Sequence, residues 1–281
     1  MKIVECPRDA MQGMKQFIPT NEKADYINCL LQVGFDTIDF GSFVSPTAIP
    51  QMKDTPRLLA ALDFSKSQSK LLTIIANRRG AEEACLHQGI HYLGFPLSLS
   101  ETFQQRNTKR SIDEAFVTLT EIQELCFKHN KTLVTYLSMG FGNPYGDPYE
   151  TGYVARFVEK LQILQVTVVA LADTIGVSTA ESIKGLFQSL IPTFPSIEFG
   201  AHLHSTRESA TLKIEAAYAA GCKRIDGAIL GYGGCPMAAD VLVGNIATEQ
   251  IIAFCKEKGI DTGIDFQQLQ RSIQLALKIF H

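Results

Sequence analysis

Two histidines one residue apart, in Ala201-His202-Leu203-His204, give the clearest chemical signal in the chain. They close an apolar run from Ile197 to His204, and strand side chains alternate faces, so both imidazoles project to the same side. Such a pair at a strand end suits a divalent metal; a surface pair or two hydrogen-bonded core histidines is the plainer alternative. Pro7-Arg8-Asp9 follows the first apolar run. The Asp9 carboxylate could join the histidines in a mixed nitrogen–oxygen ligand set that suits Mg²⁺ or Mn²⁺. Arg8 could hold a substrate carboxylate or stabilise an enolate oxygen, unless the two residues are only a solvated loop pair. In Gly231-Tyr232-Gly233-Gly234-Cys235-Pro236 the glycines permit close approach of the backbone to a ligand. Cys235 in that loop is a candidate for proton transfer or nucleophilic attack. No Lys-Ser/Thr pair follows, so the loop is not a P-loop.

Further polar residues fall at or near run ends: Asp39, Ser138 and Asp173, with Asn245 readable either as a metal ligand or as a helix N-cap. Eight runs are expected to be strands: Lys2–Cys6, Thr37–Gly41, Leu71–Ala76, Tyr92–Pro96, Thr132–Ser138, Thr167–Asp173, Ile197–His204 and Arg224–Leu230. Most are largely apolar, the pattern of a strand buried on both faces. Amphipathic helical stretches separate them, such as Asn21–Val33 and Ser111–Lys128. Thr20, Ser111 and Ser178 read as N-caps, and Gly34, Gly89 and Gly221 as helix ends. Eight strand–helix units of about 35 residues, with no hairpin signal, predict an α/β (β/α)8 TIM barrel with its chemistry at the C-terminal strand ends. A doubly wound sheet is the runner-up, but Pro7-Arg8-Asp9 stands where its glycine fingerprint would be. One domain over 1–281 is expected, with 265–281 a C-terminal helix that either caps the barrel or forms a dimer interface.

Composition narrows the function. Hydrophobic residues make up 46% of the 281, and the formal net charge is −3, which argues against nucleic acid and anionic membranes as partners. The apolar run from Val166 to Ala172 is far short of a membrane span, and Met1-Lys2-Ile3-Val4-Glu5 enters a strand with no signal-peptide pattern. Seven cysteines without short spacings fit a reduced, cytoplasmic protein. Cys6, Cys29, Cys85, Cys126, Cys222 and Cys255 read as packing residues.

The segment Lys2-Ile3-Val4-Glu5-Cys6-Pro7-Arg8-Asp9-Ala10-Met11-Gln12 resembles the opening of 3-hydroxy-3-methylglutaryl-CoA lyases. So do Gly41-Ser42-Phe43-Val44-Ser45-Pro46, Pro50-Gln51-Met52, Asp173-Thr174-Ile175-Gly176, His202-Leu203-His204, Gly233-Gly234-Cys235-Pro236 and Gly244-Asn245 with Ala247-Thr248-Glu249. The motifs run in order through nearly the whole chain. The wider group of metal-dependent TIM-barrel enzymes includes condensing synthases, which carry Glu-Arg where this chain has Gly234-Cys235, so a lyase is favoured. The resemblance implies cleavage of an acyl-CoA substrate, 3-hydroxy-3-methylglutaryl-CoA, to acetyl-CoA and acetoacetate with Mg²⁺ or Mn²⁺. It implies Asp9, His202, His204 and Asn245 as metal ligands, Arg8 as enolate stabiliser and Cys235 in proton transfer. Asp39 and Asp173 would line the pocket, His202 is one candidate base beside Asp9 or a metal-bound water, and Lys15, Gln12 and Ser138 would serve the CoA end.

Three departures from the family pattern stand out: Asp39 in place of the usual Glu, Ala10-Met11 in place of Gly-Leu, and nine residues between Cys235 and Asn245, one more than in animal-type lyases. They keep two other readings in view. One is a sister lyase, aldolase or carboligase acting on another β-hydroxy acyl-CoA or a 2-oxo acid. The other is a non-catalytic metal-binding barrel.

Overall fold

The computed structural model describes residues 1–234 and 243–280. Eight strands alternate with helices: β1 (Lys2–Glu5), β2 (Thr37–Ser42), β3 (Lys70–Ile74), β4 (Ile90–Ser98), β5 (Thr132–Ser138), β6 (Val168–Asp173), β7 (Glu198–Ser205) and β8 (Arg224–Gly227). Each pairs in parallel with the next, and β8 pairs with β1 through Lys2↔Arg224 and Val4↔Asp226. The sheet is therefore closed on itself, the (β/α)8 barrel expected from the alternation.

The closed sheet sorts its side chains by strand period. Leu72, Ile74, Tyr92, Val134, Tyr136, Val168 and Ala170 form one buried cluster, made of alternate residues that face the barrel interior. The intervening positions, such as Leu71, Leu133 and Val169, pack outward against the helices in a larger cluster. Gly200 lets a long side chain cross the interior: a Cβ there would stand 3.2 Å from Cδ of the buried Arg224.

Helix entry is governed by side-chain caps. Asn77, Ser100, Ser111, Thr179 and Thr206 each accept a backbone N–H at the third helical position. Ser111 forms a full capping box with Glu114 at the head of α6 (Ile112–His129). Two expected caps shift by one residue. Thr179 rather than Ser178 caps α8 (Ala180–Thr193), while Thr20 is the first residue of α2 (Thr20–Leu30) after Pro19. Ser178 is diverted by its hydrogen bonds to Asp173.

Two features depart from plain alternation. Pro7–Gln12 forms a short helix, α1, so Arg8 and Asp9 sit on a rigid turn rather than a loop. Gly244–Asn245 forms a short strand, β9, antiparallel to the end of β7, with His204 opposite Asn245. Asn245 is therefore not an N-cap, since α10 (Thr248–Glu257) starts after Ala247. The C-terminal α11 (Phe266–Phe280) lies against α2, with Ser272 donating to the Cys29 sulfur at 3.2 Å. Cys29 is half-buried, whereas Cys6, Cys85, Cys126, Cys222 and Cys255 are buried, and all six are free thiols. No helix among the described residues is long and apolar enough to cross a membrane.

Candidate active site

A cavity of about 470 Å³ opens at the C-terminal ends of the strands. Its polar wall includes Arg8, Asp9, Gln12, Ser138, Thr174, His202 and His204, with Arg106, Asn107 and Thr108 beside Phe103, and its apolar wall includes Val44, Ile49 and Ile74. Closure of the barrel and the α1 turn thus bring together residues some 200 positions apart in sequence.

Asp9, His202 and His204 offer ligand atoms that all lie within 4.8 Å of one another. The tautomer of His204 is set by a backbone carbonyl. Its Nδ1 is 3.1 Å from the Thr174 carbonyl oxygen, which can only accept, so Nδ1 carries the proton and Nε2 the lone pair. Nε2 is buried and has no hydrogen-bond partner among the described residues. Burial, with His202 nearby, also holds the His204 pKa below its usual value and keeps the ring neutral. A buried lone pair beside a second imidazole and a carboxylate fits a divalent cation. Asn245 donates from Nδ2 to Asp9 Oδ2 at 2.7 Å and to the Tyr232 carbonyl at 2.9 Å.

Arg8 is spread across the floor of the site. Its Nη2 lies 2.5 Å and its Nε 3.1 Å from Asp39 Oδ2, while Nη1 donates to Asp9 Oδ1 at 2.9 Å and Gln12 Oε1 at 2.8 Å. The shorter Asp39 therefore reaches the guanidinium directly. Burial pushes the Asp39 carboxyl up to about 6, against the pull of Arg8. Burial acts the same way on Asp9, but Arg8, His202 and the Asn245 amide outweigh it and hold that carboxyl at about 2. Burial opposes the Arg8 charge too, and Asp39 and Asp9 more than offset it.

The remaining expectations divide. Gln12 and Ser138 line the cavity, but Lys15 is exposed and lies outside its walls. Asp173 is not a wall residue. It accepts Ser178 N–H and O–H and pairs with Lys213 at 2.8 Å, bracing the turn that carries Thr174. Asp39 likewise stands behind Arg8 rather than in the cavity wall. Cys235 falls outside the described residues. Asp226 is not marked by the sequence, because it lies inside a strand run two residues from Arg224 and away from the strand end. It accepts from His202 Nδ1 at 3.1 Å, and its one signal was an acidic residue at an inward position of a buried strand.

The HMGL-like family model matches residues 2–275. The chain belongs to this family. Among its relatives, hydroxymethylglutaryl-CoA lyase YngG of Bacillus subtilis is 32% identical over 94% of this chain and 87% of its own length. A 3-hydroxy-3-isohexenylglutaryl-CoA/hydroxy-methylglutaryl-CoA lyase of Pseudomonas aeruginosa is also 32% identical, over 96% of this chain and 89% of its own. An HMG-CoA lyase of Acinetobacter baumannii, solved with coenzyme A and 3-methylmalate, superposes with a TM-score of 0.90 at 30% identity, covering 99% of this chain and 90% of that one. The HMGL-like assignment thus extends over the barrel and the helices that surround it.

Proposed function

We propose that this HMGL-like chain is a divalent-metal-dependent carbon–carbon lyase that cleaves 3-hydroxy-3-methylglutaryl-CoA to acetyl-CoA and acetoacetate. The observation that carries the reading is the convergence of Asp9, His202 and His204 beside Arg8 in one cavity. The lyases among its relatives, one of them solved with coenzyme A, support the substrate class.

Asp9, His202 and His204 would hold Mg²⁺ or Mn²⁺. Asn245 could join them only through its carbonyl oxygen, since the amide nitrogen has no free lone pair. Bound there, the cation would supply Lewis-acid polarisation of the substrate's tertiary hydroxyl and favour its loss of a proton. Arg8, fixed by Asp39, Asp9 and Gln12, presents a permanent positive charge for the enolate oxygen that develops as the C–C bond breaks. His202 is the more basic of the two imidazoles. Burial lowers its pKa, but Asp226 and Asp9 outweigh that and raise it. With Nδ1 on Asp226 and Nε2 given to the cation it would have no lone pair left for the hydroxyl proton, and its part would be to hold the cation. The acetyl-CoA enolate must then gain a proton, a role suited to the Cys235 thiol. The apolar wall of Val44, Ile49 and Ile74 would shelter the methyl branch from water.

Incubation of the purified protein with the thioester and Mn²⁺ or Mg²⁺ tests this directly. Acetoacetate should form at a rate that falls at least about 100-fold in Cys235→Ala, in line with general-acid contributions. No acetoacetate above that control would refute the assignment.

A further inference from the structure

We infer that Asp226 is a positioning residue for the cation site, fixing the tautomer and orientation of His202. The inference rests on the reading of Asp9, His202 and His204 as the cation site. Asp226 lies on β8 with 3% of its surface exposed, and its Oδ2 is 3.1 Å from His202 Nδ1. A carboxylate oxygen accepts, so Nδ1 carries the proton and the lone pair resides on Nε2. Histidines that bind metals commonly donate their other ring nitrogen to a carboxylate or a carbonyl. This chain uses one of each: Thr174 for His204 and Asp226 for His202.

The placement of Asp226 suits that task. It is paired with Val4 of β1, and the preceding Ile225 is paired with Ala201 of β7, so its backbone is set by strands rather than by a loop. Tyr136 meets the His202 ring in a T-shaped contact at 5.6 Å, so the imidazole is held on its edge by Asp226 and packed by Tyr136. The second Asp226 oxygen, Oδ1, is buried without a hydrogen-bond partner among the described residues. A half-satisfied buried carboxylate is costly, and that cost is unexplained by packing alone. His202 is the residue that gives it a use. Removing Asp226 would leave Nδ1 without its acceptor and let the ring take either tautomer, one of which presents N–H rather than a lone pair to the cation.

Two measurements on the full chain test this. Mn²⁺ titration should show affinity about 10- to 100-fold weaker in Asp226→Ala, with most of it recovered in Asp226→Asn, whose carbonyl oxygen can still accept. Nitrogen-15 shifts of the His202 ring, read without metal at a pH where the ring has become neutral, should show one Nδ1–H tautomer in the wild type and a mixture in Asp226→Ala. A purely structural role for Asp226 would not move the tautomer. Wild-type Mn²⁺ affinity in Asp226→Ala, or an unchanged single tautomer, would overturn the inference. If the alanine variant does not fold, Asp226→Leu, which is similar in size and cannot accept, carries both readouts. A wild-type protein that binds no Mn²⁺ would refute the cation reading, and the tautomer shifts would still decide the role of Asp226.

Discussion

Arg8 shows how much of the chemistry rests on the geometry of a single side chain. Its guanidinium meets Asp39, Asp9 and Gln12 at once, and a lysine ammonium of equal charge cannot span those three partners. Arg8→Lys should therefore keep the fold and the charge but lose about 100-fold or more in kcat, with a smaller change in KM. Rates of acetoacetate formation at varied substrate would check the split, and a variant changed in KM alone would mean that Arg8 only binds. The residues carrying this chemistry were legible in different degrees. The histidine pair could be read because the strand period puts alternate residues on one face. Arg8 and Asp9 could be read because they follow a strand. Asp226 could not, because nothing local separates an inward acid that orients a ligand from any other polar residue in a strand. Asp173 reads as a pocket residue because it closes a strand, yet Ser178 and Lys213 hold its carboxylate behind the cavity wall.

At the level of elements, the site depends on a close approach between two segments. Gly233 has φ +93°, and a Cβ there would stand 2.7 Å from Asn245 Nδ2 and 2.9 Å from the Asp9 carbonyl oxygen. The turn after β8 thus presses on β9 and α1 together, and only a residue without a side chain allows it. Gly233→Ala should push Asn245 and Asp9 apart and weaken Mn²⁺ binding at least about tenfold, with a stability loss of about 1–3 kcal/mol. Metal titration beside circular dichroism would separate the two effects; full affinity in the folded variant would show that the approach is incidental. The strands and most helices were legible because alternating apolar runs and 3.6-residue periodicity are local signals. The short β9 was not, since two residues carry no period and its pairing with His204 is set by the tertiary fold. The shift of the α8 cap to Thr179 has the same origin, Ser178 being taken by Asp173.

For the whole molecule, closing the barrel places a carboxylic acid where water cannot reach it. Glu5 of β1 is fully buried, accepting from the Ile229 N–H at 2.9 Å and bonding Thr248 Oγ1 at 2.5 Å. These contacts tie the first strand to the exit of the eighth and to the head of α10, across more than 220 residues of sequence. Burial drives the Glu5 pKa up from 4.5 to about 8, the two hydrogen bonds opposing it only in part. The sign of the linkage follows. Below the unfolded value the folded and unfolded chains are both protonated and the contact is fully stabilising. As pH rises towards the folded value, the unfolded chain has released a proton that the folded chain keeps, so this contribution is progressively lost. The loss is on the order of a few kcal/mol once the folded value is passed. Glu5→Gln reproduces the neutral form, with a carbonyl to accept Ile229 N–H and an amide to donate to Thr248, and it does not titrate. Thermal midpoints of the two proteins should therefore be close near about pH 5 and diverge towards about pH 8, with the glutamine variant the more stable. Parallel curves over that window would mean that the closure contact is ionised in the folded protein and that its hydrogen bonds, not a retained proton, sustain it.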